Sequence, residues 1–77
     1  MSSPPLPIEL RKREHEAVNL FSLGHTTKSA ARIMRLAPKT VEVLITNARE
    51  RNDCSTIPQL VGQYVVSEIC GLLTVID

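Results

Sequence analysis

The chain has 77 residues, a formal net charge of +1, and 43% hydrophobic against 22% charged residues. That length makes one domain with a small core and a thin stability margin, and no stretch reaches the roughly 18 uninterrupted apolar residues of a membrane-spanning helix. The two cysteines, Cys54 and Cys70, form no CxxC pair, and neither His15 nor His25 joins them at metal-ligand spacing, so no metal is expected and both thiols read as reduced and buried.

The distribution of charge says more than its sum. All nine Lys and Arg residues lie between Arg11 and Arg51, where four acids accompany them and leave a net +5; the rest of the chain carries Glu9, Asp53, Glu68 and Asp77. A basic body beside an acidic, apolar tail suggests two faces with two tasks, although a solvated helical surface can have the same balance. No Ser/His/Asp or Cys/His arrangement, phosphate-binding glycine loop or paired carboxylates is present, so no enzyme and no cofactor are expected.

Residues 1–9 are polar and proline-rich and lack the basic-then-apolar layout of a signal peptide, which reads as a flexible, extended arm. The domain proper is expected over 10–77. A first helix is predicted over about 11–23, with Ala17, Leu20, Phe21 and Leu23 at helical spacing and Val18 widening the stripe; Gly24 fits the left-handed residue that ends it. Arg13 is expected to pair with Glu14 or Glu16.

A second helix starts at Thr26 or Thr27, whose hydroxyl can cap it, and turns Ala30, Ala31, Ile33 and Met34 inward. The turn over 35–38 carries Leu36, expected beneath the corner, and Pro38, suited to the first position of a third helix. Ala37 is a poor N-cap, at about 1 kcal/mol relative to Ser or Thr. The third helix is predicted over 38–51, with Val41, Leu44, Ile45 and Ala48 as its buried stripe.

A last helix begins after Ser55 or Thr56. Leu60, Val61, Tyr64, Val65 and Ile69 are expected against the first and third helices. Residues 72–76 are dense in β-branched side chains and read as helix or strand. Val66, Cys70, Leu73 and Ile76 remain as an apolar face larger than a small monomer should expose, and are expected to form a dimer contact.

Taken together, these residues resemble the LuxR-type (GerE-like) helix-turn-helix domain of bacterial transcription regulators over about 10–61. That family reads roughly L-T-x-R-E-x-E-V-L, a glycine, then S-N-K-E-I-A-x-x-L-x-I-S-x-x-T-V-K-x-H-x-x-N-I-x-x-K-L. Leu10, Arg13, Glu14, Glu16, Leu20 and Gly24 stand at matching positions, as do Lys28, Ala31, Thr40, Val41 and Asn47. Thr26, Met34, Leu36, Ala48 and Arg51 are similar replacements. The departures are Ser29 for glutamate, Ala37 for the capping serine, Glu42 for a DNA-contacting lysine, Leu44 for histidine and Asn52 for leucine.

The resemblance implies an all-α, four-helix fold with the third helix in the major groove of DNA and the last helix in a dimer contact. Lys28, at the start of the second helix, and Lys39 and Thr40, opening the third, are placed for phosphates. Val43 and Thr46 match positions that face base edges, with Asn47 and Arg49 beside them. Glu42 has three readings: acceptor for a cytosine amino group, partner of Lys39 three residues earlier, or a repulsive charge that weakens DNA binding.

The expected function is a small stand-alone, cytoplasmic bacterial transcription regulator that binds duplex DNA as a homodimer. The alternative is a protein-interaction module that uses the same scaffold to bind another transcription regulator or RNA polymerase.

Overall fold

The computed structural model describes residues 8–76. In chain order these form strand β1 (Ile8–Arg11), helices α1 (Lys12–Ser22), α2 (Thr27–Met34), α3 (Pro38–Arg51) and α4 (Ile57–Cys70), and strand β2 (Leu73–Ile76). The architecture is mostly helical, with the strands joined as a short parallel pair in which Ile8 faces Leu73 and Leu10 faces Val75.

The strand pair departs from the flexible arm expected over residues 1–9. Ile8 and Leu10 alternate with Glu9 and Arg11, a period-2 pattern that buries the apolar pair completely and leaves the charged pair in solvent. Three elements of the helical body and β2 close over Ile8 and Leu10, which no flexible arm allows. Residues 1–7 of that expectation lie outside the described residues.

Each helix ends for a local reason. Glu14 reaches back to the backbone N–H of Arg11 at 2.9 Å, satisfying a donor at the start of α1. Gly24, at φ +94°, donates to the Phe21 carbonyl just past the other end, in the conformation glycine adopts without steric penalty. Thr26 Oγ1 caps α2 by accepting from Ser29 N, and Thr56 Oγ1 caps α4 by accepting from Gln59 N, each at 3.2 Å.

The turn between α2 and α3 contains a feature its residue types did not signal. Arg35 takes the left-handed conformation at φ 60°, at a cost of roughly 1–2 kcal/mol for a non-glycine residue. Leu36 N then donates to the Ala31 carbonyl at 2.9 Å, and the Leu36 side chain packs half-buried against the core. Pro38 opens α3, and Ala37 caps it without a side-chain bond, as expected.

The core lies where α1, α2, α3 and α4 meet, around Ala17, Ala31, Val41, Ile45, Leu60 and Tyr64. Small residues at Ala17, Ala30, Ala31 and Ala48 are all buried and let the helices approach closely. Four expected core residues are instead exposed: Leu23 at 69%, Ile33 at 52%, Val65 at 41% and Ile69 at 81%. Leu23 lies beyond the last turn of α1, and Ile33 sits on the outer side of an eight-residue helix whose inner face Ala30, Ala31 and Met34 already fill. On α4 the inward stripe is Leu60, Tyr64 and Ser67, which turns Val65 and Ile69 outward. Cys54 is buried as expected, whereas Cys70, at the end of α4, is exposed.

Candidate nucleic-acid interface

α3 is buried along Val41, Ile45 and Ala48, with Leu44 half-buried. The opposite side holds two exposed stripes at helical spacing. Lys39, Glu42 and Thr46 lead to Arg49; Thr40, Val43 and Asn47 lead to Glu50. Lys28, in the first turn of α2, is exposed as well. Every residue expected to contact DNA is therefore in solvent except Arg49.

Arg49 is half-buried. Its Nη1 donates to the Ser55 carbonyl at 3.1 Å, and its Nε is buried without a hydrogen-bond partner among the described residues. This guanidinium holds the loop between α3 and α4, so the arginine expected beside the DNA-facing residues is also a structural tie. Its spacing from Thr46 did not reveal that the chain doubles back over it at Cys54, whose N–H bonds the Arg49 carbonyl at 2.8 Å.

The first stripe borders a shallow groove of about 330 Å³, which Phe21, Thr27 and Ile57 also line. Lys39 Nζ and Glu42 Oε2 are 3.9 Å apart within it, both largely solvent-accessible. Such an exposed pair contributes about 0–1 kcal/mol and breaks readily when a stronger partner arrives. This geometry matches one of the three readings of Glu42, the ion pair with Lys39, while leaving its carboxylate reachable from outside.

α3 is fixed from behind by polar residues that sequence reasoning placed elsewhere. Glu14 is 1% exposed and forms an ion pair with Arg51, at the last turn of α3. That bond keeps the Arg51 pKa above its ordinary value. Arg13 pairs with Glu16 at 3.2 Å, so only the second of its two expected partners is taken. Asn52, just beyond α3, accepts from Glu9 N at 2.8 Å, donates to Glu9 O at 2.9 Å and donates to Ala48 O at 2.8 Å. The sequence signal for Asn52 was its departure from the leucine expected there.

Tyr64 fastens α4 to α1. It is 1% exposed, and its hydroxyl lies 3.0 Å from Asn19 Oδ1, 2.9 Å from Glu68 Oε1 and 3.3 Å from His15 Nε2. Burial, reinforced by the hydrogen bond to Glu68, pushes its pKa up to about 12. Burial likewise raises the Cys54 thiol, helped by the charge of Asp53.

The expected dimer residues do not form one helical face. Val66 and Cys70 are exposed on α4, whereas Leu73 and Ile76 are half-buried on β2, and Leu73 packs against the core. Gly71, at φ +71°, turns the chain between them. Among the described residues no three His, Cys, Asp or Glu side chains gather as metal ligands, and no helix is long and apolar enough to cross a membrane. Comparison with protein-family models, curated proteins and solved structures returned no match.

Proposed function

We propose that the chain is a DNA-binding transcription regulator of the helix-turn-helix kind, similar to the LuxR-type domains, with α2 against the DNA backbone and α3 in the major groove. The observation that carries this reading is the outer side of α3, exposed from Lys39 to Asn47 while its inner stripe is buried. A helix held from behind and bare in front matches the docking geometry of a reading helix. Lys28 and Lys39 supply phosphate contacts. Val43 offers a methyl surface to thymine, and Thr46 and Asn47 offer hydrogen bonds to base edges.

In this reading the protein acts in a bacterial cytoplasm as a homodimer, with half-sites about 34 Å apart. Affinity rests mainly on phosphate contacts and falls steeply with salt. Titration of a labelled duplex from the gene's own neighbourhood, at low and moderate salt, tests it. Absence of binding at low salt, or binding indifferent to salt, overturns it.

One observation favours a second reading. Glu42 is exposed along the groove at the flank of the outer side of α3, with Val43 and Ile57 exposed nearby, a mixed surface suited to a protein partner such as another regulator or RNA polymerase. The Glu42→Lys variant separates the two. Duplex binding that appears only in this variant makes the native chain an interaction module.

A further inference from the structure

The two edges of the strand pair are treated differently. In a parallel ladder the backbone groups of alternate residues point to opposite sides. The register, together with the bond from Ile8 N to Leu72 O, assigns Ile8 and Leu10 to the shared side, leaving Glu9 and Arg11 facing the outer edge of β1. That edge is covered. The Asn52 amide meets both backbone groups of Glu9, and Glu14 accepts from Arg11 N.

On β2 the same register turns the N–H and C=O groups of Thr74 toward β1 and those of Leu73 and Val75 outward. No group among the described residues bonds to them. This edge also lacks the usual protection: residues 69–76 contain no charge, no proline and only one polar side chain, Thr74. Val75 is exposed, and the outward-turned Val66, Ile69 and Cys70 lie on the helix that leads into the strand.

We propose that the free edge of β2 pairs with β2 of a second copy of this chain, antiparallel about a two-fold axis at Thr74, making a continuous four-stranded sheet. The occupant is argued from self-complementarity. Antiparallel partners must share a face, so opposed residues have the same parity. An axis at Thr74 meets that condition: Leu73 stands opposite Val75 of the partner subunit, and the two exchange N–H···O bonds both ways. Those are the residues whose backbone groups point outward. Thr74 meets its own copy in the non-hydrogen-bonded position. No charge opposes a like charge across the axis, and a pair of short strands that is marginal by itself gains two neighbours. This dimer uses the sheet edge rather than the helix face expected from the sequence, and it stands whether or not the chain binds DNA.

The test is the mass of the full chain by light scattering, without DNA, with helical circular dichroism as the check on folding. The native chain is expected at twice the monomer mass. Val75→Pro removes an outward N–H and no bond to β1, and is expected to halve that mass at unchanged helicity. If this variant unfolds, Val75→Lys replaces it under the same criterion. Ile69→Asp, on the helix face, is expected to remain dimeric. In a Cys70→Ser background, Thr74→Cys is expected to form a disulfide-linked dimer under mild oxidation, because non-hydrogen-bonded pairs bring Cα atoms within disulfide reach. A monomeric native chain, a folded position-75 variant that stays dimeric, a monomeric Ile69→Asp or an uncrosslinked Thr74→Cys overturns the proposal.

Discussion

The side chain of Asn52 pairs with the backbone of Glu9 as a neighbouring strand would, accepting at 2.8 Å and donating at 2.9 Å. Its second donor bond goes to the Ala48 carbonyl in the last turn of α3. One amide thus joins the end of the candidate reading helix to the first strand. Replacing it with alanine leaves both groups of Glu9 without these partners. Asn52→Ala is expected to lower stability by about 1–3 kcal/mol, read as a lower urea midpoint at unchanged slope. A loss below about 0.5 kcal/mol contradicts a structural role.

Glu14 and Arg51 form the buried charge pair behind α3. Removing the guanidinium strands a buried carboxylate, so Arg51→Met is expected to cost about 3 kcal/mol, toward the low end for buried pairs because Arg51 keeps some solvent contact. The double replacement Glu14→Leu with Arg51→Met is expected to recover part of that loss. A double-mutant cycle in urea checks it; strict additivity of the single effects argues that the pair is uncoupled.

Tyr64 makes stability fall in alkali. Its folded pKa, raised from 10.0 to about 12, means that the fold favours the neutral phenol. The contribution is complete below pH 10, where the unfolded phenol still holds its proton, and is lost as pH rises toward 12. The whole step is about 3 kcal/mol, from roughly 1.4 kcal/mol per pH unit. Tyr64→Phe is expected to flatten that part of the pH–stability curve relative to the native chain, even though it starts from lower stability. Parallel curves for the two proteins exclude a perturbed Tyr64.

For the proposed DNA complex, Lys28→Ala is expected to weaken binding evenly across duplex sequences and to reduce the salt slope by about 1. Thr46→Ala is expected to leave the slope alone and relax preference at one base pair, by about 1 kcal/mol for a single neutral hydrogen bond. Competition titrations with single-base-pair variants of one duplex distinguish these effects. A Thr46→Ala protein with unchanged preference at every position removes that residue from the reading surface.

The helices were legible because their signals are local. Thr26 and Thr56 cap, Gly24 ends α1, Pro38 starts α3, and Val41, Ile45 and Ala48 repeat at helical spacing; all of these depend on neighbours within a turn or two. The outward stripes of α3 followed from the same periodicity. What escaped depends on distant partners. The alternation of Ile8 and Leu10 with charged residues is only four residues long and does not point to a mate that begins at Leu73, and Glu14 offers no local reason to prefer Arg51 over Arg13. The bond from Arg49 to Ser55 is not legible because the loop that folds back follows a helix end set by Asn52 and Asp53, with Asp53 itself at positive φ. Ile69 fits an inward stripe as well as Tyr64 does on composition alone, and only the direction of α4 across α1 separates them.

The β1–β2 pair joins the first described element to the last. Ile8 finds Leu73, 65 positions later. During synthesis, Ile8 and Leu10 leave the ribosome well before residues 73–76, and cannot be sheltered in this way until those have emerged. The four helices lie between them and can begin to associate earlier through shorter loops. Closing the pair is therefore the step with the longest loop and the greatest entropic delay, and during that interval a chaperone has access to two apolar segments that lie far apart along the chain.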